Sequence, residues 1–512
     1  MLRILVPGSL LVVISIVYFF GVAPDMTWMG LAGDAPDYVA ASINFQRAGL
    51  GGYPLYITIG WVFETIFHKG LYFNPYWTLG LVSAISTVIT CGFIYALVRL
   101  YGSETPYMKS GTKNGSIKEG TSKNRLPAIL ATLAYASSLL VWTQSVIPEV
   151  YTITVMFMVI GTYYLLRAYR HDRPNLLYVS AFIFGLSLCT HPLALFAVLP
   201  SLFYVFKVPL RNRPNIVKLL VIGLIGLLPW LQFLASSPEN AYAGLSTGGL
   251  GWLLSSSGYI GGLPIFPADT LIVRLQDFGP MILLGLCVVV PFYILGFKHL
   301  LDVEPHPTIL LGTIGLLPIL LYVTSIPSQW ITYILPSIAF LAIVGGLCAE
   351  EMLEESRFNL KPVVMVASIC GLGLLGLNLY TYDIGRSIDP LPTTMRQAYT
   401  QLEELPSDAI VYTHTWGHIG VLLGAYNQDR DFRLTRIDST KGEGYAAVRG
   451  TPPSTDKEVY ADLADLRQEN SDREIYVAYL KDRSKVQFDF IPLSDYRHSS
   501  NDVPQLNQVN GR

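Results

Sequence analysis

Apolar residues in this chain do not alternate with polar ones on a helical or strand period; they run together in long blocks separated by short polar breaks. With a window of about 19 residues, the blocks fall at Ile4 to Val22, Pro75 to Val98, Leu126 to Trp142, Val150 to Leu166, Leu176 to Thr190, Leu193 to Phe206, Leu219 to Leu234, Pro280 to Phe297, Thr308 to Thr324, Ile331 to Cys348 and Val363 to Tyr380. They predict about eleven transmembrane helices. The two blocks flanking His191-Pro192 are short, as expected where a proline breaks a hairpin of helices inside a protein-lined region. Pro54 to Phe67 is apolar except for Glu64. At about fourteen residues it is too short to span, and it predicts an interfacial or re-entrant helix.

The polar breaks set the orientation. One set of loops carries Arg3, Arg99, Lys109, Lys113, Lys118, Lys123, Arg125, Arg167, Arg170, Arg173, Lys207, Arg211, Arg213, Lys218, Lys298, Arg357 and Lys361. The other set, leaving the tail aside, has Arg47, Lys69 and Arg274. The basic set is therefore expected on the cytoplasmic side, with the N-terminus inside and the C-terminal region outside. Trp28, Trp61, Trp77, Trp142, Trp230, Trp252 and Trp330 fall on the external side. They anchor that interface or line a surface that handles a sugar ring. Ile4 to Val22 has the look of a signal peptide, but a single Arg3 and the many later blocks favour a span.

Composition agrees: the chain is 51% hydrophobic and 14% charged, against roughly 25% charge in a soluble domain. The integral membrane part is expected at 1–382, with a first external loop at 24–74, a flexible cytoplasmic loop at 102–125 and a long Gly-rich external loop at 236–279. Residues 383–512 have soluble composition. There 409–414, 474–479 and 486–490 read as strands, and 393–405 and 458–470 as helices, so a small external α/β domain of about 120 residues is expected. The five cysteines all lie in apolar blocks, so no disulfide framework is expected.

Apart from cysteine and tyrosine, His191 is the only ionisable group well inside the apolar segments, while Asp25, Asp34, Asp37, Glu149, Asp269 and Asp277 gather at predicted external ends. Ion-coupled transporters place such groups near the midplane, so catalysis at the external interface fits better. Asp34 and Asp37 lie three apart and share a face if a helix starts at Ala35. Asp34 is then either the N-cap, with Pro36 in the first turn, or a general base for an acceptor hydroxyl. Arg47, His191 and Tyr53 are candidates to stabilise a departing lipid phosphate, and Arg47 serves equally as a headgroup contact. Glu149, after Pro148, reads as a substrate contact or as a carboxylate favoured at a helix N-terminus. His191 reads as a ligand contact or a polar partner for the broken helix. His414 and His418 have i, i+4 spacing but no zinc-helix glutamate, so no metal site is assigned.

The first loop, GDAPDYVAASINFQRAGLGGYPLYITIGWVF, resembles the Asp-x-Gly-Glu, Ala-Ala and His-Pro-x-Gly-Tyr-Pro-Leu-Tyr pattern of the protein O-mannosyltransferase-like branch of the GT-C membrane glycosyltransferases. Trp142 to Tyr151 resembles that branch's Trp-x-Gln-x-x-x-x-Glu-x-Tyr, and Gly185 to His191 its Gly-Leu-x-x-x-x-His. The matches cover about the first 200 residues. Pro36 replaces the Gly, Asp37 shortens the Glu, and the His-Pro is absent. The resemblance implies a polyprenyl- or dolichyl-phosphate-linked sugar donor, an inverting transfer and a catalytic carboxylate in the first external loop. By position Asp34 and Asp37 match the catalytic acidic pair, while Tyr53, Glu149, Tyr151 and His191 fall in motifs expected to bind substrate.

The expected function is transfer of a hexose such as mannose to an acceptor hydroxyl, on protein Ser/Thr or on a lipid-linked glycan or headgroup. No cofactor beyond the lipid-linked donor is expected, a divalent metal requirement stays open, and no nucleic-acid partner is expected. A flippase for a polyprenyl-linked substrate is the rival, disfavoured by the uncharged blocks. A scaffold presenting the external domain is a third reading.

Overall fold

All eleven apolar blocks carry helix, because a backbone in hydrocarbon must satisfy its own hydrogen bonds. The computed structural model describes residues 2–27, 35–45, 53–102, 125–210, 214–231, 286–325, 328–355 and 359–388, and towards the C-terminus 397–398, 400–401, 404–406, 410–413, 464, 467–468, 471–482 and 487–494. The helices are α1 (Leu2–Gly21), α2 (Ala35–Asn44), α3 (Pro54–Phe63) continued by a π-helix (Glu64–Lys69), α4 (Pro75–Gly102), α5 (Leu126–Ala136), α6 (Leu139–Ser145), α7 (Val150–Arg170) and α8 (Asn175–Leu188). After a 3-10 turn (Pro192–Ala194) come α9 (Leu195–Lys207), α10 (Ile216–Ile225), α11 (Val290–Val303) and α12 (Pro305–Ser325). A second 3-10 segment (Ser328–Ile334) leads into α13 (Leu335–Glu355) and α14 (Lys361–Ile388).

Helix α13 is the axis of the bundle, packed against α4, α5, α7, α11 and α12. Helix α14 lies against α1 and α5 and turns Val363, Val366, Ile369, Leu372 and Leu377 outward, a surface suited to lipid. Among the described residues, five helices are long and apolar enough to cross a membrane, or six if a bent pair counts as one span. That pair puts a bend in the span expected over Leu126 to Trp142: α5 and α6 meet at 64°. The break falls at Ser137-Ser138, and the Ser137 carbonyl it frees accepts from Asn378 Nδ2 of α14 at 2.8 Å. Trp142 is a correction. It is fully buried and packs on Tyr18 with ring centroids 5.0 Å apart, in the core and not at an interface. All five cysteines are free.

Gly185, part of the third sequence motif, has a packing role. A Cβ there would run into the Gly223 carbonyl oxygen and come within 2.8 Å of the Gly226 Cα, so it lets the backbones of α8 and α10 touch.

In the tail, β1 (Ile410–Thr413), β2 (Ile475–Asp482) and β3 (Gln487–Pro492) form a sheet in that order. β1 runs parallel to β2 with Ile410 opposite Ile475, and β3 antiparallel with Val477 opposite Ile491. These are the three expected strands. Helical residues at 397–398, 400–401, 404, 464 and 467–468 fall within the two stretches read as helix. The loops at 103–124 and 236–279, and His414 and His418, lie outside the described residues.

Candidate active site

The first loop folds back onto the break between α8 and α9. Pro54 occupies the first turn of α3, where its missing N–H costs nothing. The Leu55 N–H just after it donates to the Cys189 carbonyl at 3.1 Å. This bond bolts the start of α3 to the end of α8. Tyr53 immediately before it has φ 44 and ψ 53, a left-handed conformation that costs a β-carbon residue on the order of 1–2 kcal/mol. The strained turn lays the Tyr53 ring on His191 at 5.5 Å between centroids and 10° between planes. α3 is held against α2 at Gly60, where a Cβ would meet the Ser42 hydroxyl and Leu79.

His191 is fixed from its own side. It caps the 3-10 turn, its Nδ1 accepting from the Leu193 N–H at 3.1 Å. Next to it the Thr154 hydroxyl donates to Thr190 at 2.9 Å, and Thr190 donates to the Ser187 carbonyl at 2.6 Å. A neutral imidazole that accepts at Nδ1 carries its proton on Nε2, so a donor remains on the ring edge away from the cap. His191 thus serves the broken helix with one nitrogen and keeps the other for a ligand.

Three tyrosines from separate elements surround this ring. Besides Tyr53, Tyr151 of α7 lies at 5.1 Å and Tyr333 of the second 3-10 segment at 5.4 Å, and Tyr151 and Tyr333 are 6.0 Å apart. Tyr38 of α2 extends the wall, at 5.6 Å from Tyr53 and 5.5 Å from Tyr56. The structure therefore brings together Tyr53, Tyr151 and His191 from the sequence candidates. Tyr333 is an addition. Its only signal in the sequence is an aromatic at the polar start of an apolar block, which matches interface anchoring equally well.

Glu149 lies at the foot of α7, buried at 3% exposure. Its backbone is clamped by Ser83, whose hydroxyl accepts from the Glu149 N–H at 3.1 Å and is 3.2 Å from the Glu149 carbonyl. It occupies the N-cap of α7, the helix N-terminus where the dipole favours a carboxylate, and its side chain makes no capping hydrogen bond. Its charge reaches the Tyr56 phenol. That group is held well above its ordinary pKa by burial first and Glu149 second, with a smaller contribution from Glu64.

Glu64, the lone carboxylate of the short apolar helix, is not among the sequence candidates. It is wholly buried at the α-to-π junction, and both its oxygens lack a hydrogen-bond partner among the described residues. Burial pushes its pKa from 4.5 to about 9, opposed by Lys69, so the side chain is a neutral acid at pH 7.

Asp37 sits in the first turn of α2, next to Tyr38. Asp34 and Arg47 lie outside the described residues. Among the described residues no three His, Cys, Asp or Glu side chains lie together as a metal would need.

Residues 34–214, which contain every candidate above except Tyr333, match the family model described as the protein O-mannosyl-transferase TMEM260 N-terminal domain. The curated protein O-mannosyl-transferase tmem260 of Dictyostelium discoideum is 24% identical over 225 residues, 41% of this chain. The alignment spans only 25% of that protein's length. Among solved structures, ArnT from Cupriavidus metallidurans bound to undecaprenyl phosphate superposes with a TM-score of 0.61 at 11% identity, covering 92% of each chain. The Archaeoglobus fulgidus oligosaccharyltransferase tethered to an acceptor peptide gives 0.50 at 10% identity, over 92% of this chain and 69% of that one. This chain thus has a fold like that of these solved enzymes, and its residues 34–214 are similar to the protein O-mannosyl-transferase TMEM260 N-terminal domain.

Proposed function

We propose that the protein transfers a hexose, most simply mannose, from a polyprenyl- or dolichyl-phosphate carrier to an acceptor hydroxyl on the external side of the membrane, the acceptor being a protein Ser or Thr. The observation that carries this reading is the cage of Tyr53, Tyr151 and Tyr333 around a His191 whose Nδ1 is already engaged. Aromatic faces stack on the C–H face of a sugar ring, and an imidazole N–H beside them donates to an anionic oxygen. The family named for protein O-mannosyl transfer, and a solved relative bound to undecaprenyl phosphate, support the donor class and the reaction.

In the proposed reaction Asp34 takes the proton of the acceptor hydroxyl as its oxygen attacks the anomeric carbon. The bond from that carbon to the phosphate oxygen breaks, its electron pair leaves with the lipid phosphate, and the sugar inverts. Arg47 and the His191 N–H stabilise the charge gathering on the phosphate. Asp37 supports Asp34. Glu149, fixed by Ser83 beneath the tyrosines, orients sugar hydroxyls. Glu64, being neutral, adds no competing anion there.

The test is transfer by the purified full-length protein from synthetic polyprenyl-phosphate mannose, glucose and galactose to Ser/Thr peptides, read by mass spectrometry. Transfer from one of these donors, lost on His191→Ala and on Asp34→Asn, supports the reading. A protein that binds the donor without cleaving it to any acceptor contradicts it.

A further inference from the structure

A second site lies at the other end of the bundle. α7 runs from Tyr151 in the aromatic cage to Arg170, roughly 28 Å away at about 1.5 Å per residue. Around Arg170, where α4, α7, α9 and α11 end and α12 begins, is a cavity of about 300 Å³. Tyr101, Tyr169, Tyr204, Asp172, Glu304 and His306 are among its lining residues. Arg170 is spoken for: it pairs with Glu304 at 2.7 Å and lies over the Tyr101 ring at 5.1 Å. Arg170 and Glu304 are thus paired with each other, and Asp172 is a second carboxylate in the lining.

Asp172 is the unusual member. It adopts φ 49, just past the end of α7, and the Arg173 N–H donates back to the Ala168 carbonyl at 2.9 Å, which is the ordinary way a helix stops. That stop needs a residue tolerant of left-handed backbone, and Gly or Asn serves as well as Asp. It does not need a carboxylate. Yet Asp172 Oδ1 is sealed from solvent with no hydrogen-bond partner among the described residues. A buried carboxylate oxygen left in that condition costs free energy unless something donates to it.

We propose that this cavity binds a primary ammonium group, with Asp172 as its counter-ion and Tyr169 and Tyr204 among its walls. The Asp172 carboxylate favours a cationic donor, and the Tyr169 and Tyr204 rings in the lining suit one through their π faces. The orphaned oxygen requires an N–H donor, which a trimethylammonium lacks. The ammonium belongs either to an ethanolamine headgroup of a neighbouring phospholipid or to a free amine of the same chemistry. This site is separate from the transfer reaction and stands whether or not that reading holds.

The experiment is native mass spectrometry of the full-length protein with ethanolamine, choline and glycerol phospholipids of matched chains, and with free phosphoethanolamine as competitor. The ethanolamine lipid is expected to be retained at least about tenfold over the choline lipid, since only the former makes the charge-assisted N–H bond. Asp172→Asn keeps a residue that tolerates the left-handed backbone and removes the charge, and it should abolish that preference. Displacement by phosphoethanolamine means a free amine suffices, and retention of the lipid against it assigns the site to a headgroup. Equal binding of ethanolamine and choline lipids by the wild type overturns the proposal, a result independent of how the variant folds. So does an unchanged preference in a folded Asp172→Asn protein.

Discussion

Replacing Glu64 by glutamine removes the one buried acid whose oxygens both lack a partner among the described residues, and the consequence depends on pH. In the fold its pKa is about 9, against 4.5 in water. Because the folded value is raised, the protonated side chain costs nothing extra below about pH 4.5. Above that, folding must take up a proton that the unfolded chain has lost. At pH 7 the gap from 4.5 is 2.5 units, worth about 3.4 kcal/mol at roughly 1.4 kcal/mol per unit. The penalty grows until the pH passes about 9. A glutamine side chain has the same shape and no charge to lose. Melting curves of the wild type and Glu64→Gln in one detergent, from pH 5 to pH 8.5, should therefore diverge. The variant should gain little at pH 5 and more with each unit, the difference rising by about 1.4 kcal/mol per unit. Parallel curves would mean that Glu64 is ionised in the fold and held by a cation, and the argument from burial would fail.

Four further outcomes are expected. His191→Ala should lower turnover about 100-fold by removing a donor to the developing phosphate charge; an unchanged kcat in a transfer assay would reduce His191 to a cap for Leu193. Tyr333→Ala should raise KM for the donor about tenfold while Tyr333→Phe stays near wild type, since the ring face is what the cage uses; equal effects of the two would point to the hydroxyl instead. Gly185→Val should prevent stable folding, because its side chain meets α10 backbone at Gly223 and Gly226; a melting temperature within a few degrees of wild type would refute that packing. Asp34→Asn should cost at least about 100-fold in turnover with little change in melting temperature, and Asp37→Asn less; unfolding of the Asp34 variant would favour the N-cap role.

Much of the membrane architecture is legible in the apolar blocks, because a spanning helix advertises itself by length and hydropathy alone. The bend between α5 and α6 is not. Ser137 and Ser138 pass unnoticed in an apolar run, and what stabilises the break is Asn378, 241 residues away. Trp142 misleads for a similar reason. A tryptophan at the end of an apolar block reads as an interface anchor, whereas its burial follows from Tyr18 and the close approach of Gly21. Within the site, Tyr53, Tyr151 and His191 are visible as fragments of motifs, but only folding shows that they share one cage. Tyr333 joins them from the opposite half of the chain, and no local spacing relates it to His191. Glu64 stands out as a lone charge, but its neutral state depends on its burial without a partner among the described residues, which no sequence pattern records.

The most direct test of the central claim is glycan mass spectrometry of exported proteins and lipids from cells carrying the wild-type chain, a deletion, or Asp34→Asn. If the protein is a transferase with Asp34 as its base, one hexose modification disappears in both mutants, and the carrier of that modification is the acceptor. If the deletion abolishes the modification while Asp34→Asn cells keep it, Asp34 is structural and the protein moves or presents the donor without transferring it.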